Sequence, residues 1–439
     1  MQTKKIIKMK GGIPIYPGGY SCIFKPQLRC KSKNKTKKNN RNIQNEGVSK
    51  LLFKKYADIE MQNIQKFYHA LKKIHNSHKY FLFTKTKSCS PSKISTRDLK
   101  GFNEMCTNFT SHDINESNIN NKKNIQNLRL INMPNAGISL NEWLFVKYKN
   151  TIEHLKIVRI KLFNKIISTL ILRAIVPMNH QGVIHNDMKE DNILIHSTSP
   201  TIIDWGISGI STHHHPIPEI IMNRYISISN PFSSILFTTD FSKNYSEFLK
   251  VNAIHTTHHV TNMRHDSQIQ QKLRDFSLSQ YLKNKEYGHY SHIQNFFRDI
   301  FKIFMNYYNN NSNEFLKFSL DTIKTSDDLY HRIASNYISD ILIHFTEFDE
   351  RDGFVRFQYI KYFTDVYIYN CDLWGTVFCY SVFFSFTDEY KYDKYIDIPP
   401  LIYSSFLRCV LSIFMKQIMI NGHKKIKVSK LTKSIMNSI

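Results

Sequence analysis

The sequence predicts an α+β chain in two parts: a smaller one that mixes strands with one helix, and a larger, mainly helical one. Three observations predict it. At 439 residues with 41% hydrophobic and 13% aromatic side chains, the chain has enough apolar surface to offset its conformational entropy and a length that suits two or three folding units. Short β-type runs dominate up to about residue 133, whereas long stretches of helical spacing follow from residue 151. Pro134 to Gly137 break the chain between the two regimes, and we place the boundary there.

The elements follow in order. Residues 11 to 30 hold a Gly-rich turn between short strands, and another strand is expected over Gly47 to Phe53. Residues 54 to 76 place Ile59, Ile64, Phe67, Leu71 and Ile74 on one helical face. Thr107 to Asn127 turns to Asn, Ser and Lys and reads as a loop, and LRLINM at 128 to 133 reads as a strand. A long helix over 151 to 176 is expected to be buried. Ile193 to Ile195 and Thr201 to Ile203 read as a strand pair.

The net charge is +25, from 60 Lys/Arg against 35 Asp/Glu. It concentrates at the ends: residues 1 to 50 hold thirteen basic residues against one acid, Glu46, and residues 401 to 439 hold seven against none. Such ends suit contact with a polyanion, whether nucleic acid, acidic lipid or acidic protein; a solvated loop at Lys31 to Arg41 is the plainer reading. Arg173, Arg408 and Lys416 interrupt the longest apolar runs, so no membrane span is expected, and the basic N-terminus lacks the pattern of a secretory signal. Seven cysteines without a CxxC pair read as reduced thiols in an intracellular, reducing compartment.

The chemistry concentrates in VIHNDMKEDNILIHSTSPTIIDWGIS, from Val183 to Ser208. One tight loop brings together His185, Asp187, Lys189 and Asn192, and a second carries Asp204 and Gly206. For phosphoryl transfer each residue type has a task. Asp187 can accept the proton of an attacking hydroxyl. Asn192 and Asp204 offer hard oxygen ligands suited to Mg²⁺, and Lys189 can neutralise charge on the moving group.

This pattern resembles the catalytic core of the eukaryotic-type protein kinase superfamily, in which a His-x-Asp-x-Lys-x-x-Asn loop precedes Asp-Phe-Gly. The resemblance implies a bilobal fold: a small β-rich N-lobe over 1–136, with a basic insertion, and a larger mainly α-helical C-lobe over 137–439. It implies Asp187 as catalytic base with Lys189 beside it, and Asn192 and Asp204 as metal ligands, with Trp205 in place of the usual Phe. Upstream, Ile15-Tyr16-Pro17-Gly18-Gly19-Tyr20-Ser21-Cys22-Ile23 falls where the family has its phosphate-covering loop. Gly18, Gly19, Tyr20 and the adenine-facing Ile23 fit, while Tyr16 and Ser21 replace glycines. Lys50 is then the phosphate-pairing lysine and Glu60 its partner. Downstream, Asp372-Leu373-Trp374-Gly375 resembles the start of the family's central helix, from about 372, whose Asp holds the catalytic loop. An insertion, partly ordered with loops, must then fill about 209–355. The whole, together with an Asn/Ile/Lys bias, is similar to divergent kinases of large nucleocytoplasmic DNA viruses, which would put the protein in host cytoplasm or virion.

The implied function is an ATP- and Mg²⁺-dependent protein kinase acting on Ser or Thr of protein substrates. Two alternatives stay open: a small-molecule kinase of the aminoglycoside-phosphotransferase type, which shares an Ile-Asp-Trp run like Ile203 to Trp205, and a catalytically inactive kinase fold serving as a basic scaffold. Asn186 replaces the Arg that commonly reads an activation-loop phosphate, so activity is expected not to depend on that phosphate. His185 is expected to support Asp204, and Trp374 to be core. His213, His214 and His215, with His255, His258 and His259, read as solvated loop rather than a zinc site.

Overall fold

The computed structural model describes residues 12–18, 21–31, 47–145, 153–309, 322–386 and 400–439. Its contacts define two compact units, residues 1–137 with 201–206 and residues 138–200 with 207–439.

The first unit is built on a five-stranded sheet of order β1-β2-β3-β5-β4. Its strands are β1 (Ile13–Gly18), β2 (Ser21–Lys25), β3 (Val48–Phe53), β4 (Lys87–Cys89) and β5 (Leu128–Met133), and every neighbouring pair is antiparallel. Helix α1 (Lys54–Leu71) follows β3 directly. Strand alternation sorts β3 onto two faces. Leu51 joins Cys22, Phe24, Phe102 and Phe109 in one apolar cluster, whereas Leu52 packs with Ala57 of α1 and Ile131 of β5 in another. Lys50, two residues from Leu52, therefore shares the α1 side of the sheet. The Asn-rich segment expected to be loop contains two short helices, Thr107–Thr110 and Lys122–Gln126; Phe109 and Ile119 are fully buried and anchor it.

The expectation of reduced thiols fails here for four of the seven cysteines. Cys22 is bonded to Cys106 and Cys30 to Cys89, with Cα–Cα distances of 5.4 and 5.7 Å. The partners lie 84 and 59 residues apart in sequence, and only the sheet and its covering segments bring them together.

In the second unit, β6 (Ile138–Ser139) pairs with β8 (Ile193–His196), and β7 (Val183–Ile184) with β10 (Gly209–Ile210). Between β8 and β10, β9 (Ser199–Ile202) carries the chain into the first unit. Helix α2 (Glu153–Leu170) continues through a π-turn, Ile171–Ile175, to His180. The 209–355 stretch is more regular than expected. It contains α3 (Thr239–Val251), α4 (Thr257–Met263), α5 (Ser267–Leu282), α6 (Tyr290–Asn309) and α7 (Ser326–Phe345), then the hairpin of β11 (Thr346–Asp349) and β12 (Phe354–Phe357).

The central helix α8 runs over residues 359–378 with a π-turn at Phe363–Tyr367, so it starts well before the expected position near 372. Its first turns, YIKYFTDVYIYN, are aromatic and β-branched on nearly every side and give no helical stripe to read. Burial on most sides supplies what the pattern lacks, with Tyr362, Phe363 and Tyr367 all under the surface. Rings from the 209–355 stretch complete this core: Phe232 meets Trp374 at 5.0 Å and Phe296 meets Phe378 at 5.0 Å. Trp374 is core, as expected, at 1% exposure. Helix α9 (Pro400–Ile413) extends through a π-turn to Ile418, and α10 (Val428–Met436) ends the chain's helices. Among the described residues one helix, Leu401–Ile418, is long and apolar enough to cross a membrane, with mean hydropathy 1.3; half of it is buried inside the protein.

Candidate functional site

The catalytic-type loop hangs between paired strands. It leaves β7, makes a 3₁₀ turn at Glu190–Asn192 and enters β8. Its backbone is held from α8. Asp372, 1% exposed, accepts hydrogen bonds from the backbone N–H groups of His185 (2.9 Å) and Asn186 (2.8 Å) and from Asn179 Nδ2 (2.8 Å). Burial pushes the Asp372 carboxyl above its ordinary value, and His185 with these donors pulls it partly back. One turn further on the same face, Gly375 makes room: a Cβ there would lie 2.5 Å from Met188 O and 2.8 Å from Ser229 O. Asn186 adopts φ 64°, a conformation costly for a residue with a side chain, and the Asp372 and Ile207 hydrogen bonds hold it there.

Asp187, Lys189 and Asn192 meet in this loop. Lys189 Nζ and Asn192 Nδ2 both donate to Asp187 Oδ2, at 2.8 and 2.9 Å. Among the described residues, Asp187 Oδ1 takes only a long bond from Ser229 Oγ, at 3.4 Å, and so keeps capacity to accept a proton. Burial pushes the Asp187 carboxyl up, but the Lys189 hydrogen bond and charge, His185 and Asn192 outweigh it and hold the group below the ordinary carboxylate value. It is ionised at neutral pH, as a base must be. Sequence reasoning missed Ser229 and what stands behind it. Ser229 Oγ lies 2.8 Å from Ser227 Oγ, which lies 3.2 Å from His289 Nδ1; only the fold connects these residues to the loop.

In the first unit, Lys50 on β3 and Glu60 on α1 form an ion pair at 2.8 Å, with side chains 20% and 27% exposed. The short spacing between them works because α1 begins immediately after β3 and turns Glu60 back over the sheet. Ile23 pairs with Lys50 across β2 and β3. Ile15 and Tyr16, on β1, are exposed. Gly18 stands opposite Ser21, while Gly19 and Tyr20 lie outside the described residues. Asp204 also belongs to this unit and has φ 64°. Its neighbour Trp205 packs among Phe67 of α1, Phe83 and Phe81, at 5.2, 4.9 and 5.6 Å. The bulk of Trp205 in place of Phe is thus accommodated by a ring cluster that includes the Glu60 helix.

Asn192, in the second unit, and Asp204, in the first, each offer a hard oxygen donor. Asn192 spends its amide nitrogen on Asp187 through two hydrogen bonds, and its Oδ1 has no partner among the described residues. Asp204 is exposed, with no hydrogen bond or ion pair among them.

Compared with known families, residues 110–243 match the RIO domain, an atypical protein kinase family within the protein-kinase-like superfamily. That span holds β5, α2, the catalytic-type loop and Asp204, and covers less than half of the chain. At this level the match supports a kinase-like, ATP-binding domain over residues 110–243. No curated protein matches the sequence.

Proposed function

We propose that the protein is an ATP-dependent protein kinase that transfers the γ-phosphoryl group to Ser or Thr hydroxyls of protein substrates. The observation that carries this reading is the state of Asp187: ionised, clamped on one oxygen by Lys189 and Asn192, with the other oxygen nearly unengaged. In the proposed reaction the substrate hydroxyl oxygen forms a bond to the γ-phosphorus as the bond to the β-phosphate oxygen breaks. The hydroxyl proton passes to Asp187 Oδ1, and ADP leaves. Lys189 offsets charge on the moving group, and Lys50, oriented by Glu60, pairs the remaining phosphates. Ile15, Tyr16, Gly18, Gly19, Tyr20 and Ile23 would form the nucleotide cover. Asn192 and Asp204 would hold Mg²⁺, which supplies neutralisation of phosphate charge when bound. The protein's own contribution is mainly positioning and fixed charge.

The test is transfer of label from γ-labelled ATP to casein-like and basic protein acceptors, followed by phosphoamino-acid analysis, with Asp187→Asn as control. Phosphoserine or phosphothreonine that disappears in the variant supports the reading. Phosphate release without labelled protein would make the domain an ATPase, and label on small alcohols would make it a small-molecule kinase.

A further inference from the structure

Within the second unit, Asp340 and His344 sit one helical turn apart on α7, and His423 reaches them from the loop between α9 and α10. One ligand-capable atom from each lies within 4.8 Å of the others. His423 Nδ1 contacts Asp340 Oδ2, and His344 Nδ1 stands 3.7 Å from Asp340 Oδ1 and 2.7 Å from Asp340 O. The two imidazoles are stacked, with centroids 3.7 Å apart and planes 9° apart, and each has its Nδ1 near the Asp340 carboxylate.

We propose that Asp340, His344 and His423 form a binding site for a divalent transition-metal ion, best suited to Zn²⁺. Two imidazole nitrogens and one carboxylate oxygen are a borderline donor set of the kind zinc takes, with the fourth position left to water. With bonds of about 2.0–2.1 Å, tetrahedral donors stand about 3.4 Å apart, so the cluster closes on an ion once His344 releases the Asp340 carbonyl and turns its ring out of the stack. The support is built in. His423 is buried, and its loop is pinned to α8 because Asn370 Nδ2 donates to Lys424 O and Ile426 N donates to Asn370 Oδ1. Gly422 passes so close to Tyr337 and Ile341 that a Cβ would clash at 2.8 Å. His344, 43% exposed, leaves an entry path. A bound ion would staple the loop before α10 to α7. The site is separate from the residues proposed for phosphoryl transfer, and the histidines singled out in the sequence take no part in it.

The test uses the full chain, stripped with chelator and titrated with Zn²⁺ and, as a spectroscopic probe, Co²⁺. One equivalent per chain is expected, with a rise in melting temperature on adding Zn²⁺ that chelator reverses. His344→Asn and Asp340→Asn should each weaken binding by more than the roughly 10–100-fold that an outer-shell change costs and remove the Co²⁺ visible band. His255→Asn with His258→Asn should change neither. His344 is exposed enough that its variant should fold, which circular dichroism checks. Absence of stoichiometric metal in the stripped and titrated protein, or binding unchanged in both the His344 and Asp340 variants, overturns the proposal.

Discussion

The two units are stabilised in different ways. The first divides a modest apolar content between the two faces of one sheet and adds two disulfides, one of them inside a core cluster at Cys22 and Cys106. The second has no bridge among its described residues and relies on a dense aromatic core around α8, with Cys371 and Cys379 buried and unpaired. Burial pushes both thiols well above their ordinary value, which leaves them inert as nucleophiles. Their different exposure to redox chemistry follows: covalent closure substitutes for core size in the first unit, and burial suffices in the second.

The largest expected effect tests whether the polar loop of the second unit serves chemistry and not stability. Asp187→Asn should lower phosphoryl transfer by about 10²–10⁴-fold with little change in melting temperature, because Asn can still accept from Lys189. Lys50→Met in the first unit should reduce transfer too while leaving the sheet intact. Activity at the wild-type level in both would remove the phosphotransferase roles from these residues.

Next comes the buried clamp. Asp372→Ala strands the N–H groups of His185 and Asn186 and the Asn179 amide, and loss of such a buried charged acceptor costs about 3–5 kcal/mol. Denaturant unfolding should show this loss in the second unit alone. An unchanged midpoint would mean that the loop does not depend on α8.

The first unit answers to reductant instead. Cys22→Ser with Cys30→Ser, or dithiothreitol, should destabilise it by about 2–5 kcal/mol for each bridge lost, seen as an earlier unfolding transition, while the second unit's transition stays in place. Coincident shifts of both transitions would show that the two units share one cooperative unfolding event and do not differ in the source of their stability.

What was legible in the sequence follows the same division between local and long-range causes. LRLINM could be read as a strand because its ends are marked by turn residues. Asp187, Lys189 and Asn192 could be singled out together because proton acceptance and charge neutralisation require those residue types within one loop. The Cys22–Cys106 and Cys30–Cys89 pairs left no trace, since separations of 84 and 59 residues become contacts only after the sheet forms. Ser229 and His289 were hidden for the same reason. The early turns of α8 were unreadable because exposed Tyr359 and Ile360 are as apolar as buried Tyr362 and Phe363, so no polar face marks an amphipathic period. Asp340 and His344 did leave a signal, a helical Asp-x-x-x-His spacing, but its third member lies 79 residues beyond His344.

The smallest expected effect is a shift in pH dependence. Burial by itself raises the Asp187 carboxyl, and Lys189 is the largest of the influences that bring it back down and below its ordinary value. Because the folded-state pKa is depressed, the base stays ionised, and its contribution to stability stays complete, above the unfolded carboxylate value; both are lost only as pH falls through the lower folded value. Lys189→Met removes the hydrogen bond and the charge together, leaving burial opposed by His185 and Asn192 alone. The acid limb of the rate profile should therefore move upward in pH, and the wild-type advantage should be largest in mildly acidic buffer and narrow towards neutrality, apart from any constant loss from the missing charge. Rate profiles of both proteins on one substrate settle the sign. An acid limb that stays fixed or moves downward would show that Lys189 does not set the protonation of Asp187.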